Sequence, residues 1–362
     1  MAIITVTTSA NLGSGSLREA IANAQSGDTI TFASSLANQT ITLQSQLEIP
    51  SGKDLTIDGS GASNLTLSGG NTNRILLVKS TSVTPTDVTI SNLNFIQGKA
   101  APIATNPLKQ GGAILTEHQA NLTITNVNFN NNVADDGGGA IFSAFEGNLT
   151  VTGSKFEGNI ATANNHERGA GAIGFRGPNN FIIKDSEFIG NKGINGGAIN
   201  SLNGNLNIEN SKFLNNDTTA ASYDTGGSNP SLRGYGGAIY TDRASTKDDS
   251  TSGTIRIVNS IFEGNKGRGE GGAAYLYTGT QDDVIIDGST FQNNQILELT
   301  GATDGKGNGG AIVQMNNGLN KGFTISNTTF ANNTAANQGG GLWMMDAPTT
   351  VTNSTFSGNK TL

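Results

Sequence analysis

The chain has no cysteine and only two histidines, His118 and His166. Disulfide staples and thiolate metal sites are therefore excluded, although the redox compartment is left open. Charge is scarce: Asp, Glu, Lys and Arg make up 14% of residues, with a formal net charge of -7. No Lys/Arg cluster supplies the positive footprint that nucleic acid demands, so no nucleic-acid partner is expected. No apolar run approaches the length of a membrane-spanning helix, so no membrane span is expected. The opening Met-Ala-Ile-Ile-Thr-Val lacks the basic and apolar regions of a signal peptide, so an export signal is not visible in this chain. Glycine is abundant at 50 residues, but without a Gly-X-Y period it does not make collagen.

What is present is a repeat. A Phe-x-x-Asn or Phe-x-x-Gly phrase begins at Phe95, Phe129, Phe156, Phe188, Phe213, Phe262, Phe291, Phe330 and Phe356. Between these phrases lies Gly-Gly-Ala-Ile or a variant of it. Its second glycine is read at Gly112, Gly139, Gly171, Gly197, Gly237, Gly272, Gly310 and Gly341. The glycines are 26 to 40 residues apart, so the unit is fixed while its loops vary. A unit this short cannot bury its own apolar face and must stack on its neighbours.

Aligned on the phenylalanine, the copies give a strand template. Five residues upstream sit Ile90, Ile124, Val151, Ile183, Ile208, Ile257, Ile286, Ile325 and Val351. Seven upstream sit residues such as Leu122, Phe181 and Ile255, and the two columns alternate with polar residues, the period-2 mark of a half-buried strand. Three upstream sit Asn, Asp or Gly, the types that tolerate a left-handed backbone, so the chain turns a corner there. The Gly-Gly pair makes a second corner through positive φ or close approach. The fold expected is all-β: a right-handed parallel β-helix of about ten or more coils, with internal ladders of Phe, Ile, Asn and Ser. Phe129, Phe156, Phe188, Phe213, Phe262, Phe291 and Phe330 are assigned to its core, and Gly112, Gly139, Gly197, Gly237 and Gly310 to its corners.

A solenoid needs its end covered. Residues 1–28 are read as that cap, with a short helix in which Ser16 and Glu19 form a capping box and Leu17, Ala20, Ile21 and Ala24 one apolar face. Residues 29–362 form the β-helix. No second lid is visible beyond Phe356, which leaves the C-terminal end open to self-association.

The Gly-Gly-Ala-Ile and Phe-x-x-Asn phrases resemble the repeats of the polymorphic outer membrane proteins. The segment Ser16-Leu17-Arg18-Glu19-Ala20 is similar to the N-terminal cap named for Cys-Ser-Leu-Arg-Glu-Ala, with Gly15 in place of its cysteine. The resemblance implies a right-handed β-helix in a secreted or cell-surface protein, often an adhesin or a piece of a larger passenger, and implies no catalysis. By fold alone the chain also resembles the pectate-lyase-like superfamily, whose members include polysaccharide lyases.

Three functions follow as expectations. The first is a non-enzymatic surface stalk or adhesin module that binds an extracellular glycan or surface protein. Alternation turns the residue after each Gly-Gly-Ala-Ile isoleucine outward, which brings Tyr240, Tyr275 and, two residues on, Tyr277 together as an exposed aromatic face, with Phe142 in the same column. The second is a polysaccharide lyase using a trough between long loops, with floor Lys266-Gly-Arg268-Gly-Glu270 and a wall of Tyr223, Arg233 and Tyr235; Lys266, Arg268, Arg233 and Tyr235 would carry the chemistry. The third is a calcium-organised surface-layer component. Calcium needs six to eight oxygens, and Asp304-Gly-Lys-Gly-Asn308-Gly only faintly resembles a calcium loop, with Met315 at its twelfth position. No metal site or cofactor is expected, calcium being the one weakly supported exception. The two histidines are expected to be solvated surface residues.

Overall fold

The computed structural model describes residues 1–100, 109–162, 169–219, 234–244, 252–297, 306–316, 321–345 and 347–362. Short strands and tight corners alternate along it, and the strands stack into three long sheets wound as a right-handed parallel β-helix. The first sheet has twelve strands, from Ile3–Val6 to Thr349–Thr352. The second has eleven, from Thr40–Thr42 to Thr355–Ser357, and the third has ten, from Leu47–Ile49 to Leu342–Met344. Twelve rungs at ~4.8 Å make a stack on the order of 50 Å long. A narrow fourth ribbon runs from Lys99–Ala100 to Ile160–Ala161, continues through single bridges at Lys192 and Asp217, and ends as Lys266–Arg268 to Lys360–Thr361.

Register holds like against like. Phe129 pairs with Phe156, Ile124 with Val151, and Ile114 with Ile141. The nine repeat phenylalanines stack continuously with ring centroids 4.6 to 5.2 Å apart, from Phe95 to Phe356. The expected first corner is left-handed in all nine copies: Asn92, Asn126, Gly153, Asp185, Asn210, Asn259, Gly288, Asn327 and Asn353 have φ between 47° and 59°. A second left-handed column, two residues after each phenylalanine, is occupied by Asn, Gly or Gln, as at Asn131, Gly158 and Gln97.

That second corner turns the last residue of Phe-x-x-Asn inward. Asn132, Asn159, Asn191, Asn216, Asn265, Asn294 and Asn333 are fully buried. Each uses its whole side chain. Asn191 Nδ2 donates to Phe156 O on one rung (3.0 Å) and to Asn216 Oδ1 on the next (2.9 Å). Its Oδ1 accepts from the backbone N–H and Nδ2 of Asn159, both at 3.0 Å. A parallel hydroxyl ladder runs through Ser154, Ser186, Ser211, Ser260, Ser289, Thr328 and Ser354, each accepting a backbone N–H from the rung before. Buried polar groups are tolerated here because none is left unmatched.

The two glycines of the corner have different reasons. Gly236 has φ 63°, whereas a Cβ on Gly237 would sit far inside contact distance of the Gly272 carbonyl oxygen. The same close approach repeats from Gly112 to Gly310. One reading of the sequence shifts. Because Leu342 pairs with Ile312, Gly340 stands opposite Gly310, and Gly341 takes the alanine position. Three consecutive glycines had hidden the frame.

The helix is Leu17–Asn23, with Leu17, Ala20 and Ile21 buried against the first rungs. Ser16 Oγ accepts from Glu19 N at 3.2 Å, and Glu19 Oε2 accepts from Gly15 N at 2.7 Å. The first sheet already begins at Ile3–Val6, inside the segment assigned to the cap. At the other end, Val351 is 43% and Phe356 48% exposed.

Candidate functional site

Outward residues differ from sheet to sheet. On the first sheet they are mostly Thr, Ser, Asn and charged residues, including the stacked Thr56, Thr89, Thr123 and Thr150. On the third sheet the outward column is apolar. It reads Leu77, Leu115 and Phe142, passes through Gly174 and Asn200, and resumes as Tyr240, Tyr275, Val313 and Trp343. Trp343, rather than Met344, ends it, through the same one-residue shift as Gly341.

The expected tyrosines do meet. Tyr240 and Tyr275 stack with centroids 5.3 Å apart and planes within 8°, and Tyr277 lies two residues further along the strand. They are not an exposed face, however: Tyr240 is 7%, Tyr275 4% and Phe142 6% exposed, and only Tyr277 is half-buried. Tyr235, 1% exposed, lays its ring on Tyr275 at 4.8 Å, and together with Leu202 and Val313 they form a second, smaller core outside the sheet. Burial holds the Tyr275 phenol well above its ordinary pKa, with the neighbouring phenols and carboxylates adding to the effect. It stays protonated at neutral pH. Alternation predicted the direction of these side chains correctly, but not what packs on top of them.

The trough is likewise altered. Lys266–Arg268 is a strand of the fourth ribbon, with Lys266 exposed and Arg268 half-buried. Glu270 is buried, accepts from Asn308 Nδ2 at 3.2 Å and lies 3.7 Å from the Lys306 ammonium, which also sits over the Tyr235 ring. Tyr235 is therefore core rather than wall. Arg233 and Tyr223 lie outside the described residues, as do His166 and Asp304. Among the described residues no group of three or more His, Asp or Glu is placed to hold a metal ion.

The open feature lies at the other end of the apolar column. A cleft of about 480 Å³ opens beside Leu115 and Phe142. Phe145, in the turn beyond the strand Ile141–Ser143, forms one wall, with His118 tilted against its ring at 5.6 Å and the Arg176 guanidinium 5.2 Å from its centroid. Glu117 also lines the cleft and accepts the Ser80 N–H at 3.4 Å. Next to it is Arg74, 4% exposed, whose guanidinium donates to the carbonyls of Gly111 and Gln110. Burial pushes the Arg74 pKa down to about 10, opposed by Glu117 and Glu48, so it stays charged at neutral pH. The sequence had placed Phe142 in the outward column. It missed Phe145, Glu117 and the packing of His118, because all three lie past the strand ends where a two-residue period no longer applies. The cleft offers an apolar floor and a charged rim.

Solenoid geometry, left-handed Asn corners and paired Phe and Asn ladders define the class: a parallel β-helix repeat protein. Residues 126–144 and 327–344 match the Chlamydia polymorphic membrane protein repeat. The chain is a right-handed parallel β-helix, and two of its repeats carry that match. Over 151 residues, 40% of its length, it is 36% identical to the probable autotransporter YfaL of Escherichia coli (strain K12), and the match spans 12% of that relative. Among solved structures, Jun a 1, the major allergen from cedar pollen, aligns with a TM-score of 0.44 at 13% identity, over 96% of this chain and 80% of that one. An alginate lyase from Paenibacillus sp. str. FPU-7 aligns with a TM-score of 0.24 at 12% identity, over 99% of each chain. Likenesses at these scores say nothing about what this chain binds or does.

Proposed function

We propose that this chain is a non-enzymatic, secreted or cell-surface β-helix module, a stalk or adhesin segment that binds an extracellular glycan or surface protein through the outer side of its third sheet. One observation carries the reading: that side is apolar and aromatic where the first sheet is polar, with Tyr277 and, at the cleft, Phe145 half-buried on it. Apolar residues turned outward on a repeat scaffold serve either a covering element or a partner. The repeat matches and the stretch shared with a probable autotransporter favour a location outside the cell. Tyr240 and Tyr275 then act as a buried brace and Tyr277 as the accessible ring of the same face.

The test incubates the protein with acidic and neutral polysaccharides, follows unsaturated products by ultraviolet absorbance and new reducing ends, and measures saturable binding to glycans and surface proteins in parallel. Binding without product is expected, weakened several-fold by losing an accessible aromatic contact, as in Tyr277→Ala. Product release that disappears in Arg268→Ala with the fold intact would establish the lyase instead.

A further inference from the structure

The corner between the first and second sheets carries a groove of its own. It crosses three rungs, from Ser60 and Asn64 through Asn92 and Asn94 to Asn126 and Asn128. Its volume is about 360 Å³, room for one or two sugar rings. Ser60, Asn64, Asn126 and Asn128 are exposed along it, and no residue that lines it is charged.

Two amide chains run along this groove and stop in it. Asn126 Nδ2 donates to Asn92 Oδ1 at 3.5 Å, and Asn92 Nδ2 donates to Asp58 Oδ1 at 2.8 Å. Beside them Asn128 Nδ2 donates to Asn94 Oδ1 at 2.8 Å, and Asn94 Nδ2 to Leu65 O and Thr66 Oγ1, both at 3.4 Å. Donation runs toward the capped end in both chains, which leaves a carbonyl oxygen at the other end of each. The following rung does not take it up. Gly153, with no side chain to offer, stands over Asn126, and Lys155, which pairs with Asn128, places its ammonium on Glu157 at 2.8 Å. Among the described residues no group donates to Asn126 Oδ1 or Asn128 Oδ1.

Hydrogen-bond chains polarise their members, so an oxygen at the end of one is a stronger acceptor than that of an isolated amide. Here two such oxygens belong to residues on either side of the buried Val127. Two amide oxygens are far too few for calcium, which takes six to eight. The same amides keep a second N–H each, so the rim both accepts and donates, as a hydroxyl does. We propose that this corner groove binds a neutral glycan through two adjacent ring hydroxyls that donate to Asn126 Oδ1 and Asn128 Oδ1. The site is separate from the third sheet, and the proposal goes beyond the reading of that face.

Calorimetric titration of the whole chain with four hexasaccharides tests it: cellohexaose, maltohexaose, laminarihexaose and hexagalacturonate. The two 1,4-linked glucans keep adjacent hydroxyls free on every ring, the 1,3-linked laminarihexaose only at its ends, and the galacturonate adds a negative charge to each ring. At least one 1,4-linked glucan should bind several-fold more tightly than laminarihexaose and hexagalacturonate. Asn126→Gly and Asn128→Thr should each weaken that binding about three- to ten-fold, the loss of one hydrogen bond. Glycine already stands in the first column at Gly153 and Gly288, and threonine in the second at Thr290 and Thr329, so the thermal midpoint should hold. Tyr277→Ala, on the third sheet, should leave this binding unchanged. No binding of either 1,4-linked glucan at millimolar concentration, equal affinity for all four sugars, or full affinity in both asparagine variants overturns the proposal. Binding that is lost in Tyr277→Ala and kept in Asn126→Gly and Asn128→Thr assigns the glycan to the third sheet and removes the groove. The reverse pattern keeps the groove and removes the third-sheet reading for that glycan.

Discussion

At the scale of the residue, the buried asparagine is the least replaceable part of this molecule. Asn191 satisfies groups on two neighbouring rungs at once. Asn191→Ala strands the Phe156 carbonyl and both donors of Asn159 in a dry interior, at about 1–3 kcal/mol for each orphaned group. Phe188→Ala opens a cavity between two stacked rings and should cost about 3–5 kcal/mol. Both variants should unfold at clearly lower urea than Phe356→Ala, whose ring is nearly half exposed; equal midpoints would refute the stacked-rung account. The phenylalanine ladder and the Asn corner were legible in the sequence because each is a fixed distance from the same landmark. The second left-handed column was not, since Asn, Gly and Gln share no obvious pattern until their φ values are seen. The asparagine's four hydrogen bonds were legible only as the statement that like residues stack.

At the scale of the element, the cap is fastened by a carboxylate. Asp28 accepts from Ala2 N at 2.6 Å and Gln25 N at 2.9 Å, joining the first strand to the chain that leaves the helix. These backbone N–H groups hold its carboxyl below the usual aspartate range, with desolvation opposing them. A depressed acid contributes stability above its unfolded pKa and loses it as pH falls through the folded value. Acidification below about pH 4 should therefore loosen the cap before the rungs. Amide exchange at Ala2 and Gln25 should rise there relative to core strands, and Asp28→Asn should abolish that difference. The helix itself followed from its capping box and apolar face. Sequence patterning failed on the third sheet, where period-2 alternation separates inside from outside but takes "outside" to mean solvent. Tyr240 and Tyr275 point outward and are still buried: Tyr235, from the corner that leads into the Tyr240 strand, lays its ring on Tyr275, and the three pack in one cluster.

At the scale of the molecule, the stack has unlike ends. One is closed by the helix, and the other presents Thr349–Thr352 and Thr355–Ser357, exposed along their length. An uncovered edge is a template for further strands, whether of the same chain or of another molecule. A polypeptide of residues 1–362 should self-associate with increasing concentration. Light scattering should show the mass rising, and a Phe356→Lys or Val351→Lys change at that end should suppress the rise. A strict monomer at high concentration excludes this contact.

The asparagine ladder also determines how a molecule of this kind can change length. Each asparagine engages the rung before and the rung after and nothing beyond them. A segment that begins and ends at the same point of the cycle, such as the 27 residues separating Asn132 from Asn159, is a removable or copyable link. Excising it rejoins partners of the same kind, whereas losing a single residue between the phenylalanine and the asparagine of one rung sets that rung's ladders out of step. Heredity can thus lengthen or shorten this rod by tandem duplication and deletion, with the loop lengths free to drift while the interval between ladders stays whole.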